Sequence, residues 1–268
     1  MKFLFVGGSQ RSGTTVLQKF LCMDSQTTPK LAEASYLRLL LQAYQQGKYD
    51  FEHDTGSYFV TPEDFRHFHA GLIYSFLQRT LAQYPSARTL VLKEPHLTQL
   101  FIELAELVPD SKLILIMRDP RDILASMIDV GLRMKKLGQS HFFQQRNIEQ
   151  LSQHIKSFYA PTLNNTDPTF KARYLVIRYE DLIQHSADIK QRISAFSGLA
   201  LDFDETDGIG DDPDIENDQP RYQPWITKNN DQPINDSSIG RYTQVLSDQE
   251  IDQANVFCKD LIELFQYT

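Results

Sequence analysis

An apolar strand that runs without pause into a glycine-rich turn and then a helix constrains this chain more firmly than any bulk property does. Lys2 to Val6 read as the strand, Gly7-Gly8-Ser9-Gln10-Arg11-Ser12-Gly13 as the turn, and Thr14-Thr15 open a helix whose Val16, Leu17, Phe20 and Leu21 share an apolar face. A turn of this kind gathers backbone N–H groups around an anion and aims the positive end of the helix at it. Gly8 to Gly13 has the spacing of a Gly-x-x-x-x-Gly-Lys-Ser/Thr loop, with Thr14 in the place of the lysine. A loop that grips a β,γ-phosphate pair with Mg²⁺ needs that lysine. Arg11 inside the turn and two hydroxyls just beyond it suit a smaller anionic group held without metal.

Three further apolar runs, Thr89 to Lys93, Lys112 to Met117 and Arg173 to Arg178, read as strands, and helical patterns fill the spaces between them. Thr61-Pro62-Glu63-Asp64 and Asp119-Pro120-Arg121-Asp122 carry a capping residue followed by proline, the start signal of a helix. Ser247-Asp248-Gln249-Glu250 has the pattern of a capping box ahead of one amphipathic helix with Ile251, Val256, Phe257, Leu261, Ile262 and Leu264. Strands alternating with helices predict an α/β fold of the P-loop-like kind, a short parallel sheet flanked by helices on both faces, with ligands at the carboxyl ends of the strands. The expectation is one domain over residues 1–268, with a helical acceptor-side region at about 33–83 and a lid loop at about 199–240, where Pro, Asp, Asn and Gly replace periodicity.

The net charge of -8 is local. Nine acids lie between Asp202 and Asp218 with no Lys or Arg among them; without them the chain carries 27 basic and 26 acidic residues. Such a segment repels nucleic acid and polyanions and reads as a solvated loop, since its carboxylates lack the spacing of a calcium loop. No apolar run approaches a membrane span, and no basic, apolar and cleavable leader precedes the first strand, so a cytoplasmic location is the expectation. Cys22 and Cys258 fall on separate helical patterns and read as buried free thiols.

A second constellation follows the third strand. Arg118 stands at its end, and Ser126 lies eight residues on along the next helix. A charged fork and a hydroxyl so placed suit a second phosphate, although Arg118 paired with Asp122 is an equal reading of those residues alone. The cradle Arg11-Ser12-Gly13-Thr14-Thr15, Arg118 with Ser126, Arg178-Tyr179-Glu180-Asp181-Leu182 and Ser238-Ile239-Gly240-Arg241-Tyr242 together resemble the sulfotransferases that use 3′-phosphoadenosine 5′-phosphosulfate. Arginine in the loop is more similar to the protein-tyrosine and bacterial branch than to the cytosolic small-molecule enzymes. The resemblance implies that Arg11, Ser12, Gly13, Thr14 and Thr15 hold the phosphosulfate. It further implies that Arg118 and Ser126 hold the 3′-phosphate, that Tyr179 lies by the adenine, and that Arg241 joins the donor site.

Sulfuryl transfer, by analogy with phosphoryl transfer, is mostly positioning and charge stabilisation, with no metal required. Arg11 and Lys93, in Leu90-Val91-Leu92-Lys93-Glu94-Pro95-His96, are the expected partners of the oxygen that leaves with the phosphate; a solvated Lys93 paired with Glu94 is the alternative. Glu33 resembles the glutamate base of the protein-tyrosine and related bacterial enzymes. His96 resembles the histidine of the cytosolic enzymes but falls three residues after the lysine instead of two, and ranks second. Ser35 stands where the protein-tyrosine enzymes have an arginine, which makes peptidyl tyrosine the less favoured acceptor.

The expected acceptor is a small or medium-sized alcohol or phenol, free or tethered to a carrier, with Phe51, Tyr58, Phe59, Phe65, Phe68 and Tyr74 lining its pocket. Two rivals stay open at this point. One is a small-molecule kinase with an altered Walker A loop. The other is a nucleotide-binding module without catalysis.

Overall fold

The computed structural model describes residues 2–201, 223–225 and 236–268. Strands β1 (Lys2–Gly7), β2 (Thr89–Lys93), β3 (Lys112–Met117) and β4 (Tyr174–Arg178) form one parallel sheet in the order β2-β1-β3-β4. β1 is one residue longer and β4 one residue shorter than the apolar runs suggest. Of the expected lid at about 199–240, residues 199–201, 223–225 and 236–240 are described, and its acidic stretch at 202–218 lies outside the described residues.

Side chains alternate between the two faces of a strand, and here both faces are covered. Phe5, Leu92 and Leu115 point into a layer built by helices α2 (Ser35–Tyr49), α3 (Pro62–Leu81), α4 (Phe101–Leu107), α5 (Pro120–Lys136) and α6 (Ile148–Leu163). Leu4, Val6, Ile114, Ile116 and Ile177 point the other way, onto α1 (Thr14–Cys22), α8 (Tyr179–Gln184) and α9 (Ser186–Ser197). Each such buried side chain stabilises the sheet by about 1.5 to 3 kcal/mol, which anchors the strand ends that carry the site.

Local signals set the helix starts. The Thr61 hydroxyl accepts from the Asp64 N–H at 3.1 Å, and the Asp119 carboxylate accepts from the Arg121 N–H at 2.9 Å, each with proline at the first helical position. After short α7 (Pro168–Lys171) and α10 (Tyr242–Val245), Ser247 and Glu250 form the expected capping box. The helix that follows departs from expectation. It breaks at Cys258 into α11 (Asp248–Phe257) and α12 (Lys259–Leu264), leaving Val256 and Leu264 exposed. Leu261 and Cys258 are buried as expected, and Ala254 joins them. Both cysteines are free thiols, Cys258 buried and Cys22 partly so.

All strands being parallel, their carboxyl ends emerge along one edge. Gly7, Lys93, Met117 and Arg178 close the four strands there, and Val6 pairs in register with Lys93. Among the described residues, no helix is long and apolar enough to cross a membrane.

Candidate active site

The loop after β1 is held from beneath. The Ser12 hydroxyl donates to the Ser9 carbonyl at 2.7 Å, and the Ser9 N–H donates to the Tyr159 hydroxyl at 3.0 Å. Tyr159 itself donates to the Ile116 carbonyl at 3.1 Å, and the Gly8 N–H donates to the Thr98 hydroxyl at 2.7 Å. Ser12 is fully buried with its hydroxyl engaged in this loop, so its side chain closes the cradle instead of facing an anion, unlike the expectation. Gly13 sits at φ 101° as the residue before α1, and a Cβ there would lie 2.4 Å from the Tyr179 ring. Gly13 has no side chain to cap α1 and no acid lies in its first turn, so among the described residues its N–H groups are left uncapped, the arrangement that suits an anion.

Arg11 adopts φ 71°, a left-handed conformation that costs an L-residue about 1 to 2 kcal/mol. Its side chain reaches α5 and the 3₁₀ turn Gln223–Trp225. Nε donates to the Ser126 hydroxyl at 3.0 Å and Nη1 to the Trp225 carbonyl at 3.0 Å. Burial, followed by the nearby Arg133 and Arg118 charges, pushes its guanidinium down to about 10.

Arg118 lies at the end of β3 with its guanidinium 4.8 Å from the centre of the Tyr179 ring and 3.6 Å from Asp122. It donates to the Ser238 carbonyl, and its Nε is buried with no partner among the described residues. The alternative pairing with Asp122 is thus present without satisfying the guanidinium.

Below Arg118, one face of α5 carries Asp122, Ser126, Asp129 and Arg133, the i, i+4, i+7, i+11 spacing of a single helical stripe. Asp122 accepts from the Gly240 and Tyr242 N–H groups at 2.8 Å each, Asp129 pairs with Arg241, and Arg133 Nε donates to the Pro224 carbonyl at 2.7 Å. Sequence reading singled out Ser126 alone as a ligand on this stripe. The polar periodicity within an otherwise apolar helix was the signal for Asp129 and Arg133.

At the end of β2, Lys93 is 2% exposed and donates to Glu33 Oε1 at 2.8 Å. The Ala34 N–H donates to the Lys93 carbonyl at 2.9 Å, which fixes the segment before α2 against the strand. Lys93 is therefore neither solvated nor paired with Glu94. Glu94 is buried, 3.5 Å from Arg38 Nε, and its carboxyl is pushed up to about 7, first by burial and then by the Glu33 charge.

His96 packs 5.1 Å from Phe158 and 6.4 Å from His154, ring centre to ring centre, on the 3₁₀ turn Pro95–Leu100. Burial, then Arg38, pulls its imidazole down, opposed first by a Gln99 hydrogen bond and then by the Glu33 charge. His154 Nε2 and Gln10 Oε1 lie 3.1 Å apart, which ties α6 to the cradle loop.

The aromatic residues expected to line an acceptor pocket do something else. Phe65 is buried between Tyr44, Phe51, Phe59 and His69, and Tyr74 meets Phe3 edge-on at 6.0 Å, which makes them core of the α2–α3 hairpin and of the sheet. Tyr58 and Phe68 are exposed. The rings at the strand-end edge come instead from His96, Phe142, His154 and Phe158.

Comparison with known proteins places this geometry. The sequence model of the sulfotransferase family matches residues 4–205. A Caenorhabditis briggsae protein that bears the name of a protein-tyrosine sulfotransferase is 26% identical over 200 residues, 74% of this chain; the match spans 66%, just under two thirds, of that relative's length. The sulfotransferase domain of the Synechococcus PCC 7002 olefin synthase has a similar fold, with a TM-score of 0.56 at 18% identity over 96% of this chain and 94% of that domain. A sulfotransferase of Mycobacterium avium has one too, with a TM-score of 0.53 at 15% identity over 98% of this chain and 76% of its own.

Proposed function

The chain belongs to the sulfotransferase family, and from that premise we propose that it moves the sulfuryl group of 3′-phosphoadenosine 5′-phosphosulfate to a hydroxyl of a small or medium-sized acceptor. The observation that carries this reading is the pair of anion-ready groups at the ends of β1 and β3, the uncapped cradle and the half-satisfied Arg118, joined by the Arg11–Ser126 hydrogen bond. A nucleotide with anionic groups at two separate positions fits that pair. The donor supplies the sulfuryl group itself, and the residues present supply charge, orientation and a proton acceptor.

In this reading the N–H groups at the start of α1 with Thr14 and Thr15 hold the phosphosulfate end. Arg118 and Ser126 hold the 3′-phosphate, and the Tyr179 ring, stacked between Gly13 and Arg118, borders the adenine. Arg241, anchored on Asp129, closes the donor site. Arg11 and the buried Lys93 ammonium neutralise negative charge on the oxygen that departs with the phosphate. Fixed charges in a water-poor site act there without reorganisation.

Glu33 is the base that takes the acceptor's hydroxyl proton. Its contact with Lys93 orients the carboxylate, and its half-exposed side chain is open to the acceptor. His96, packed against Phe158, is the second choice. The acceptor is an alcohol or phenol, free or carrier-tethered, and the family membership does not favour an altered-Walker A kinase. The catalytic unit is one domain over 1–268, and two free thiols suit a reducing, cytoplasmic setting.

Calorimetric titration with adenosine 3′,5′-bisphosphate, beside adenosine 5′-monophosphate and ATP with Mg²⁺, tests the donor site, and sulfuryl transfer to a panel of alcohols and phenols tests the reaction. Micromolar binding that needs the 3′-phosphate is expected. Preference for ATP with Mg²⁺ overturns the reading; tight bisphosphate binding without turnover on any acceptor reduces it to a binding module.

A further inference from the structure

The site holds one more arginine than the family resemblance assigns. Arg133 lies two turns beyond Ser126 on the same face of α5, and side chains on a helix lean toward its N-terminus, which directs Arg133 back toward Ser126. Arg11 and Arg133 hold the adjacent carbonyls of Trp225 and Pro224, at 3.0 and 2.7 Å, so the two guanidinium groups stand side by side. Nη2 of Arg133 is buried and has no hydrogen-bond partner among the described residues. An unpaired buried donor costs about 1 to 3 kcal/mol, a loss that a bound anion removes.

Charge counting points the same way. Arg11, Arg118, Arg133 and Arg241 gather over the α5 stripe, and the carboxylates paired into it are Asp122 and Asp129. Among the described residues two positive charges remain, and with Arg11 serving the phosphosulfate end as well, Arg118 and Arg133 are the guanidinium groups left to face a 3′-phosphate. A neutral nucleoside hydroxyl in that place leaves them uncompensated.

Resting on the donor reading above, we propose that Arg133 is a further donor-binding residue, a second guanidinium for the 3′-phosphate that acts beside Arg118. It makes discrimination between 3′-phosphorylated and unphosphorylated nucleotides depend on α5 along two further turns. A residue that only clasps Pro224 has no such selectivity, since its loss weakens all nucleotides alike.

The test is titration calorimetry on the whole chain with adenosine 3′,5′-bisphosphate and with adenosine 5′-monophosphate, for the wild type, Arg133→Gln and Arg133→Lys. The expected result is about a 10-fold or greater loss for the bisphosphate in Arg133→Gln, a smaller loss in Arg133→Lys, which keeps the charge without the fork, and monophosphate affinity unchanged. Should Arg133→Gln fail to fold, Arg133→Lys alone carries the selective-loss criterion. Equal losses for both ligands, or none, overturn the assignment while leaving the sulfotransferase reading in place. A wild type that binds the two nucleotides equally removes that reading, and this inference with it.

Discussion

Nε of Arg11, in the loop after β1, donates to the hydroxyl of Ser126 on α5 at 3.0 Å, a contact between residues 115 positions apart in the chain. One hydrogen bond thus joins the cradle to the helix that carries the second anion site. Ser126→Ala removes the acceptor and loosens both ends. The expected result is about 1 kcal/mol weaker binding of adenosine 3′,5′-bisphosphate together with a lower turnover number. An effect on affinity with turnover unchanged confines Ser126 to the phosphate.

Arg118→Ala strips the strand-end guanidinium that Tyr179 and Asp122 flank. Binding of the bisphosphate is expected to weaken by about 2 to 3 kcal/mol, with a much smaller loss for the 5′-monophosphate. An unchanged dissociation constant takes Arg118 out of the donor site.

Glu33→Gln keeps the size of the side chain and removes the proposed proton acceptor beside Lys93. Turnover is expected to fall about 10²- to 10⁴-fold with donor affinity unchanged, and His96→Asn to fall by far less. The reverse order assigns the base to the imidazole.

Gly13 at φ 101° lies against the Tyr179 ring. Gly13→Ala brings a left-handed alanine and a methyl group into that ring, costing about 2 to 4 kcal/mol by chemical denaturation. On the proposed donor reading, nucleotide binding weakens in parallel, because the Tyr179 ring borders the adenine there. Wild-type stability in this variant contradicts the contact.

Glu94, held up at about 7 chiefly by burial, binds a proton in the folded chain at pH values where the unfolded chain has released it. Folding is therefore favoured below the ordinary carboxylate value and loses that advantage as pH rises through about 7. Thermal unfolding followed from pH 5 to 8 is expected to show a midpoint that declines with pH in the wild type. The decline is shallower in Glu94→Gln, whose midpoint is the higher of the two at pH 8. Parallel curves rule out this role for Glu94.

The strands, the cradle and the starts of α3, α5 and α11 were legible because each rests on a local rule: an apolar run, a glycine turn, or a capping residue followed by proline or glutamate. The Lys93–Glu33 pair spans 60 positions and forms because the segment before α2 runs along β2, with the Thr28 N–H on the Thr89 carbonyl and the Ala34 N–H on the Lys93 carbonyl. Nothing near either residue announces the other, so Glu94, the neighbour in sequence, was an equally natural partner. The aromatics of α3 and of the segment before it misled for a related reason. Spacing says that Phe65 faces inward, but whether inward means a pocket or a core depends on Tyr44 and Phe59 closing over it. Asp129 and Arg133 were visible as a stripe, yet their use depends on Arg241 and Pro224, brought in from more than ninety residues away.

The strand order has a directional consequence. β1 lies in the middle, with β2 and its Lys93–Glu33 pair on one side and β3 with Arg118 on the other. On the proposed reading, a sulfuryl group seated over the cradle at the end of β1 has the base Glu33 on its β2 side and the nucleotide's 3′-phosphate, at Arg118, on its β3 side. The strand order thus separates the acceptor flank of the proposed site from its nucleotide flank. Exchanging acceptors then requires change on one flank of the sheet only.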